Sequence, residues 1–120
     1  MQIEKIKDEW IHRLGLTDWN IIIKNKCKPG DFVEQNCDGE VRYIESTKKA
    51  IIRILDGRYW EPSEFCSFDP EQILVHELLH IKFHLLDDSS NPIQDRIVHQ
   101  LVDDMARALV DAKRSEPKKA

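Results

Sequence analysis

The sequence lacks any excess of positive charge: 18 Lys and Arg stand against 22 Asp and Glu, for a formal net charge of −4. That balance gives no electrostatic case for nucleic acid as a partner, and only Lys24, Lys26, Lys28 and the C-terminal tail stand out as basic. Cysteine is scarce and odd in number, so Cys27, Cys37 and Cys66 cannot all pair within one chain. Cys27 and Cys37 lack the CxxC spacing of a structural zinc knuckle, and packing or incidental thiols are the expectation for all three. No apolar run approaches the length needed to span a bilayer, which argues against a membrane partner. Met1 leads straight into a charged segment rather than a signal peptide, so a cytoplasmic protein with reduced thiols is expected. Repeats, low-complexity tracts and linkers are missing as well. A single domain over residues 1–114, with a frayed polar tail at 115–120, is therefore expected for the 120-residue chain.

What is present alternates between two periodicities. Residues 2–14 place Ile3, Ile6, Trp10 and Leu14 at helical spacing, and Gly15 suits the C-terminal stop. Trp19–Lys24 is β-branched and aromatic and reads as a strand. Two more strands are expected near Glu40–Ser46 and Ala50–Leu55, followed by a loop over 58–68. Asp69-Pro70-Glu71-Gln72 offers an N-cap, proline at the first helical position and a capping-box glutamine, and Asn91-Pro92-Ile93-Gln94 repeats the arrangement. The last helix should run to about Lys113. The fold class is α+β: an N-terminal helix, a small three-stranded and mostly antiparallel sheet, then two C-terminal helices.

The first of those two helices carries the chemistry. Ile73–Leu86 reads ILVHELLHIKFHLL, with nine large apolar residues of fourteen spread almost all round the helix. Such a helix is normally buried, where His76, Glu77, His80 and His84 are costly without partners. HELLH matches HExxH. At 100° per residue His76 and His80 are about 40° apart and one turn along, so two imidazoles can converge on one ion. Glu77 lies about 60° beyond His80, placed to meet a water at the metal without being a ligand. Neutral imidazoles hold Zn²⁺ while leaving a position open, the ion acidifies water and polarises a carbonyl, and a carboxylate beside it moves the proton. Chance would not explain why the match falls in the most apolar helix.

A zinc site needs a third protein ligand. His84 shares the face but lies about 12 Å along the axis from His76, too far for one ion. It reads as a packed or solvent-touching residue. The short connection Asp87–Asn91 folds the two helices into a hairpin that sets His99 opposite His80 and Asp103 opposite His76. His99 is the favoured third ligand, with Asp95 the chief alternative. Asp103 either accepts the free N–H of a liganding histidine or is an ordinary surface carboxylate. Asp104 points about 100° away from it.

HELLH followed by a histidine on the next helix resembles the zincin metallopeptidases, in particular a very small gluzincin-like core. Compact SprT-like and ImmA/IrrE-like intracellular proteases share that helix-sheet-helix arrangement. In gluzincins such as thermolysin the second helix carries a glutamate ligand in Glu-x-x-x-Asp. The corresponding run here is His99-Gln-Leu-Val-Asp103, nineteen residues after His80, with histidine in place of glutamate. The metzincin extension is absent from Ile81-Lys82-Phe83-His84. The resemblance covers roughly residues 50–110 and implies Zn²⁺ as cofactor, a peptide or protein substrate, and Glu77 as general base and acid. It further implies an edge strand above the metal, for which Lys49–Leu55 is the candidate, where an extended peptide adds by main-chain pairing.

The expected function is thus a zinc-dependent metallopeptidase. A catalytically inactive metal-binding module and a nucleic-acid-associated SprT-like protein are the alternatives. Glu77 argues against the first, since a purely structural site needs no carboxylate there, and the acidic balance argues against the second. A histidine site would also accept Co²⁺, Ni²⁺ or Cu²⁺.

Overall fold

The structure, a computed structural model, describes residues 2–34, 37–61 and 67–117. Cys66, much of the loop expected at 58–68 and the end of the tail lie outside the described residues. Helix α1 (Ile3–Arg13) turns Ile3 and Trp10 inward, one apolar stripe of an otherwise charged helix. Its stop is the expected one: Gly15 takes φ +69°, a left-handed conformation that glycine adopts without a Cβ penalty.

Three strands follow: β1 (Asn20–Cys27), β2 (Gly39–Ile44) and β3 (Lys49–Leu55). They form one sheet in the order β1-β3-β2. β2 and β3 are an antiparallel hairpin, whereas β1 runs parallel to β3, with Ile21 beside Ala50 and Ile23 beside Ile52. The sheet is therefore mixed rather than mostly antiparallel. β3 is also its central strand, which corrects the expectation that Lys49–Leu55 forms an edge. The reason is polarity: Ala50, Ile52 and Ile54 are buried, while β2 carries Glu40 and Arg42 and tolerates an open side.

Helix α2 (Pro70–Lys82) lies against α1, α3, β2 and β3, which accounts for its nearly all-round apolar surface. Ile73, Leu74, Val75, Leu78, Leu79 and Ile81 are buried. Asp69 caps it, accepting from the Gln72 backbone N–H at 3.2 Å, with Pro70 opening the first turn. After a 3₁₀ turn at His84–Leu86, α3 (Pro92–Arg114) packs back through one stripe, Val98, Val102, Ala106 and Val110. Asn91 caps it through the Gln94 N–H at 3.1 Å. The Gln94 side chain does not close a capping box but donates to the Leu86 carbonyl at 2.6 Å, bracing the hairpin connection.

The three helices are tied at one end by Glu71, a buried carboxylate of α2. It accepts from Trp10 Nε1 at 2.7 Å, from Arg114 at 3.2 Å and from Lys113. Burial alone would raise this carboxyl, but the Lys113 and Trp10 bonds carry it below its ordinary value. Part of the expected tail is engaged as well: Glu116 accepts a two-bond contact from Arg13 of α1, at 2.8 and 3.0 Å. No helix among the described residues is long and apolar enough to cross a membrane.

Candidate metal centre

The hairpin of α2 and α3 brings His76, His80, His99 and Asp103 together. One helical turn separates His76 from His80, and their Nε2 atoms stand 3.2 Å apart. Two nitrogens bound tetrahedrally to one zinc at ordinary bond lengths are separated by about 3.3 Å, so the pair already has ligand spacing. The His99 ring approaches from α3, its centroid 4.9 Å from that of His80. His99 Nδ1 lies 2.8 Å from the Asp95 carbonyl, the length of a donated bond that leaves Nε2 with its lone pair. Oδ1 of Asp103 sits 3.4 Å from His76 Nδ1, at the nitrogen that does not face His80. Among the described residues no group of three or more His, Cys, Asp or Glu side chains is so arranged that it could already hold an ion. Two donors are at ligand spacing and the third ring stands beside them.

The electrostatics suit a cation. Burial pushes the His80 imidazolium down to about 4, helped by the neighbouring His76 and His99. Burial also lowers His76, with the Asp103 carboxylate opposing. Both rings are neutral near pH 7 and present lone pairs, as metal ligation requires. The donor set, imidazole nitrogens with a carboxylate behind one of them, fits zinc.

Glu77 is only 6% exposed and makes no hydrogen bond among the described residues. Burial, then the charges of Asp38 and Glu40, push its carboxyl up to about 8. It opens into a cleft of about 720 Å³ that runs from Gly39–Tyr43 of β2 past the three histidines to Asp87–Ser89. The closeness of β2 to α2 depends on Gly39. A Cβ there would lie 2.5 Å from Ile73 Cγ2 and 3.2 Å from Glu77 Oε2.

The remaining candidates separate cleanly. His84 is turned away, its ring 5.7 Å from Trp19 and 6.0 Å from Tyr43, with Nδ1 2.8 Å from the Ile81 carbonyl. Asp104 bonds Gln100 at 3.1 Å and also pairs with Arg107, away from the histidines. Asp95 lines the cleft beside His99. Cys27 is buried and Cys37 partly so, both as free thiols. Sequence reasoning missed Gly39, which reads as a boundary glycine in Cys37-Asp-Gly39 although its role is close approach. It also missed the clasp between the Tyr43 hydroxyl and the Asp87 carboxylate, which ties β2 to the helix connection across the cleft. Nothing in the sequence signals that pairing, because the partners are 44 residues apart.

No protein-family model matches the chain, and no curated protein or solved structure is significantly similar to it.

Proposed function

We propose that the protein is a zinc-dependent metallopeptidase in which His76, His80 and His99 hold the ion and Glu77 is the general base and acid. The observation that carries this reading is the pair of imidazole nitrogens at ligand spacing beside a buried carboxyl that has no hydrogen-bond partner among the described residues. When bound, zinc supplies Lewis acidity, polarising a peptide carbonyl and acidifying water. Glu77 takes a proton from the attacking water on a carboxylate oxygen and returns it to the leaving amine. Burial, with the charges of Asp38 and Glu40, raises the affinity of Glu77 for that proton above that of an exposed carboxylate in the zinc-free protein, and a bound cation beside it would favour the ionised form that a base requires. Asp103 fixes the orientation of His76 through Nδ1. One of the two edge strands of the sheet, β2, flanks the cleft and would offer its main chain to an extended peptide.

Metal analysis by mass spectrometry on wild type, His99→Ala and Glu77→Gln tests the assignment. About one zinc per chain is expected in wild type and Glu77→Gln, with a sharp loss in His99→Ala. Wild type should nick denatured casein, and Glu77→Gln should be slower by about a hundredfold or more. A wild-type protein that takes up no zinc on reconstitution would sink the proposal.

A further inference from the structure

The cleft beside the histidines is walled mostly by negative charge. Among the described residues it is lined, besides Glu77, by five carboxylates, Glu34, Glu40, Asp87, Asp88 and Asp95, against the single guanidinium of Arg42. Most of that charge is uncompensated. Glu40 has Arg53 at 3.5 Å and accepts the Val33 N–H at 2.9 Å. Asp87 accepts the neutral Tyr43 hydroxyl, Asp88 accepts the Ser90 N–H at 3.1 Å, and Asp95 has the His99 ring at 3.5 Å. Among the described residues, none of Glu34, Asp87, Asp88 and Asp95 has a lysine or arginine within ion-pair distance. The carboxylates come from three separate parts of the chain: the segment before and at the start of β2, the α2–α3 connection, and the first turn of α3. They line one hollow together with the nine-tenths-buried Glu77, which has no hydrogen-bond partner among the described residues.

We infer that this cleft selects cationic peptide segments, lysine or arginine side chains lying against the acidic walls on either side of the residues that meet the histidines. The inference rests on the metallopeptidase reading, since it names the substrate class of that same cleft. Charges of one sign on low-dielectric walls focus their field into the groove between them and raise the local concentration of the opposite charge. A glutamate-bearing segment meets repulsion in the same place, so the walls discriminate in both directions. The discrimination is salt-sensitive, because the carboxylates are partly solvated and a Debye length at physiological ionic strength is about 8 Å.

Fluorescence anisotropy on the full chain tests this with two labelled peptides of equal length, one of alternating alanine and lysine, the other of alanine and glutamate. Three proteins are compared: wild type, the cleft double variant Glu34→Gln with Asp88→Asn, and a charge-matched control, Asp8→Asn with Asp111→Asn, on exposed helix positions away from the cleft. Wild type and control should bind the lysine peptide about tenfold or more tightly than the glutamate peptide at low salt, and the ratio should fall towards unity in high salt. The cleft variant should lose most of that ratio. Equal binding of the two peptides by wild type overturns the inference, as does a ratio that the cleft variant keeps or that the control loses equally. Zinc content of the same samples reports separately on the metal centre. A zinc-loaded protein indifferent to peptide charge therefore overturns this inference and leaves the metallopeptidase reading standing.

Discussion

Gly39 occupies its position because the first residue of β2 must lie almost on top of α2. Gly39→Ala places a methyl 2.5 Å from Ile73 Cγ2, so either β2 lifts or the isoleucine moves, and Glu77 moves with it. Overpacking of this kind costs about 1–3 kcal/mol, which urea denaturation would register, and zinc content should stay unchanged because the histidines are on the helices. At His80 the consequence is a pH dependence of the zinc-free protein. The folded state takes up this proton only near pH 4, against 6.5 for the unconstrained ring, so the unfolded chain binds it first as pH falls. The stability His80 contributes is complete above pH 6.5 and drains away towards pH 4. Glu77 works in the opposite sense. Its folded carboxyl keeps the proton up to about pH 8 against 4.5 ordinarily, so stability is lost as pH rises through that interval. Glu77→Gln should therefore gain stability relative to wild type between those limits, and His80→Gln should do so as pH falls below 6.5. Unfolding curves of the chelated proteins across pH would show both trends or contradict them. His76, Glu77 and His80 are legible in the sequence because their relation is local, fixed by helix geometry alone. Gly39 is not, since a glycine that admits a neighbour looks in sequence like one that makes a turn.

At the scale of elements, caps and periodicity carry the helices. Asp69 and Asn91 stand where the sequence places them, each accepting from the backbone N–H three residues on. Asp69 also holds Arg114, at 2.7 and 2.9 Å. Asp69→Asn keeps the cap and loses the ion pair, whereas Asp69→Ala loses both. The first should lie within a few tenths of a kcal/mol of wild type, because a solvent-touching pair contributes little. The second should lose about 1 kcal/mol. If denaturation curves showed Asn as damaging as Ala, the ion pair would be the dominant element. The sheet was less legible than the helices. β-Branched content in Trp19–Lys24 and Ala50–Leu55 identifies strands, but strand neighbours and direction depend on which strand best survives burial on both sides, and the isoleucines of β3 decide that only in three dimensions. Hence a mixed sheet with Lys49–Leu55 at its centre, where a peptide-accepting edge was expected.

For the whole molecule, the hairpin of α2 and α3 joins the candidate metal site to the main core. Ligands from both helices would then be bridged by one ion, and anything that binds only the folded state adds RT ln(1 + [L]/Kd) to its stability. Zinc at a hundredfold excess over its dissociation constant should add about 2.7 kcal/mol. For a domain of this size that raises the melting temperature by several degrees. Removing the ion with a chelator should reverse the shift, and His99→Ala should show none. The juxtaposition of His99 with His80 and of Asp103 with His76 could be anticipated from the shortness of one connection. The acidic walls of the cleft could not, because their carboxylates come from parts of the chain that only the closed fold gathers.

The encirclement of α2 by every other layer has one more consequence, in the timescale of its motions. The backbone amides of Leu78 and Leu79, beneath side chains at 0% and 1% exposure, have no smaller opening through which to meet solvent than loss of the fold itself. Their deuterium exchange should track the global unfolding free energy. The exposed end of α3 near Gln94 should exchange orders of magnitude sooner.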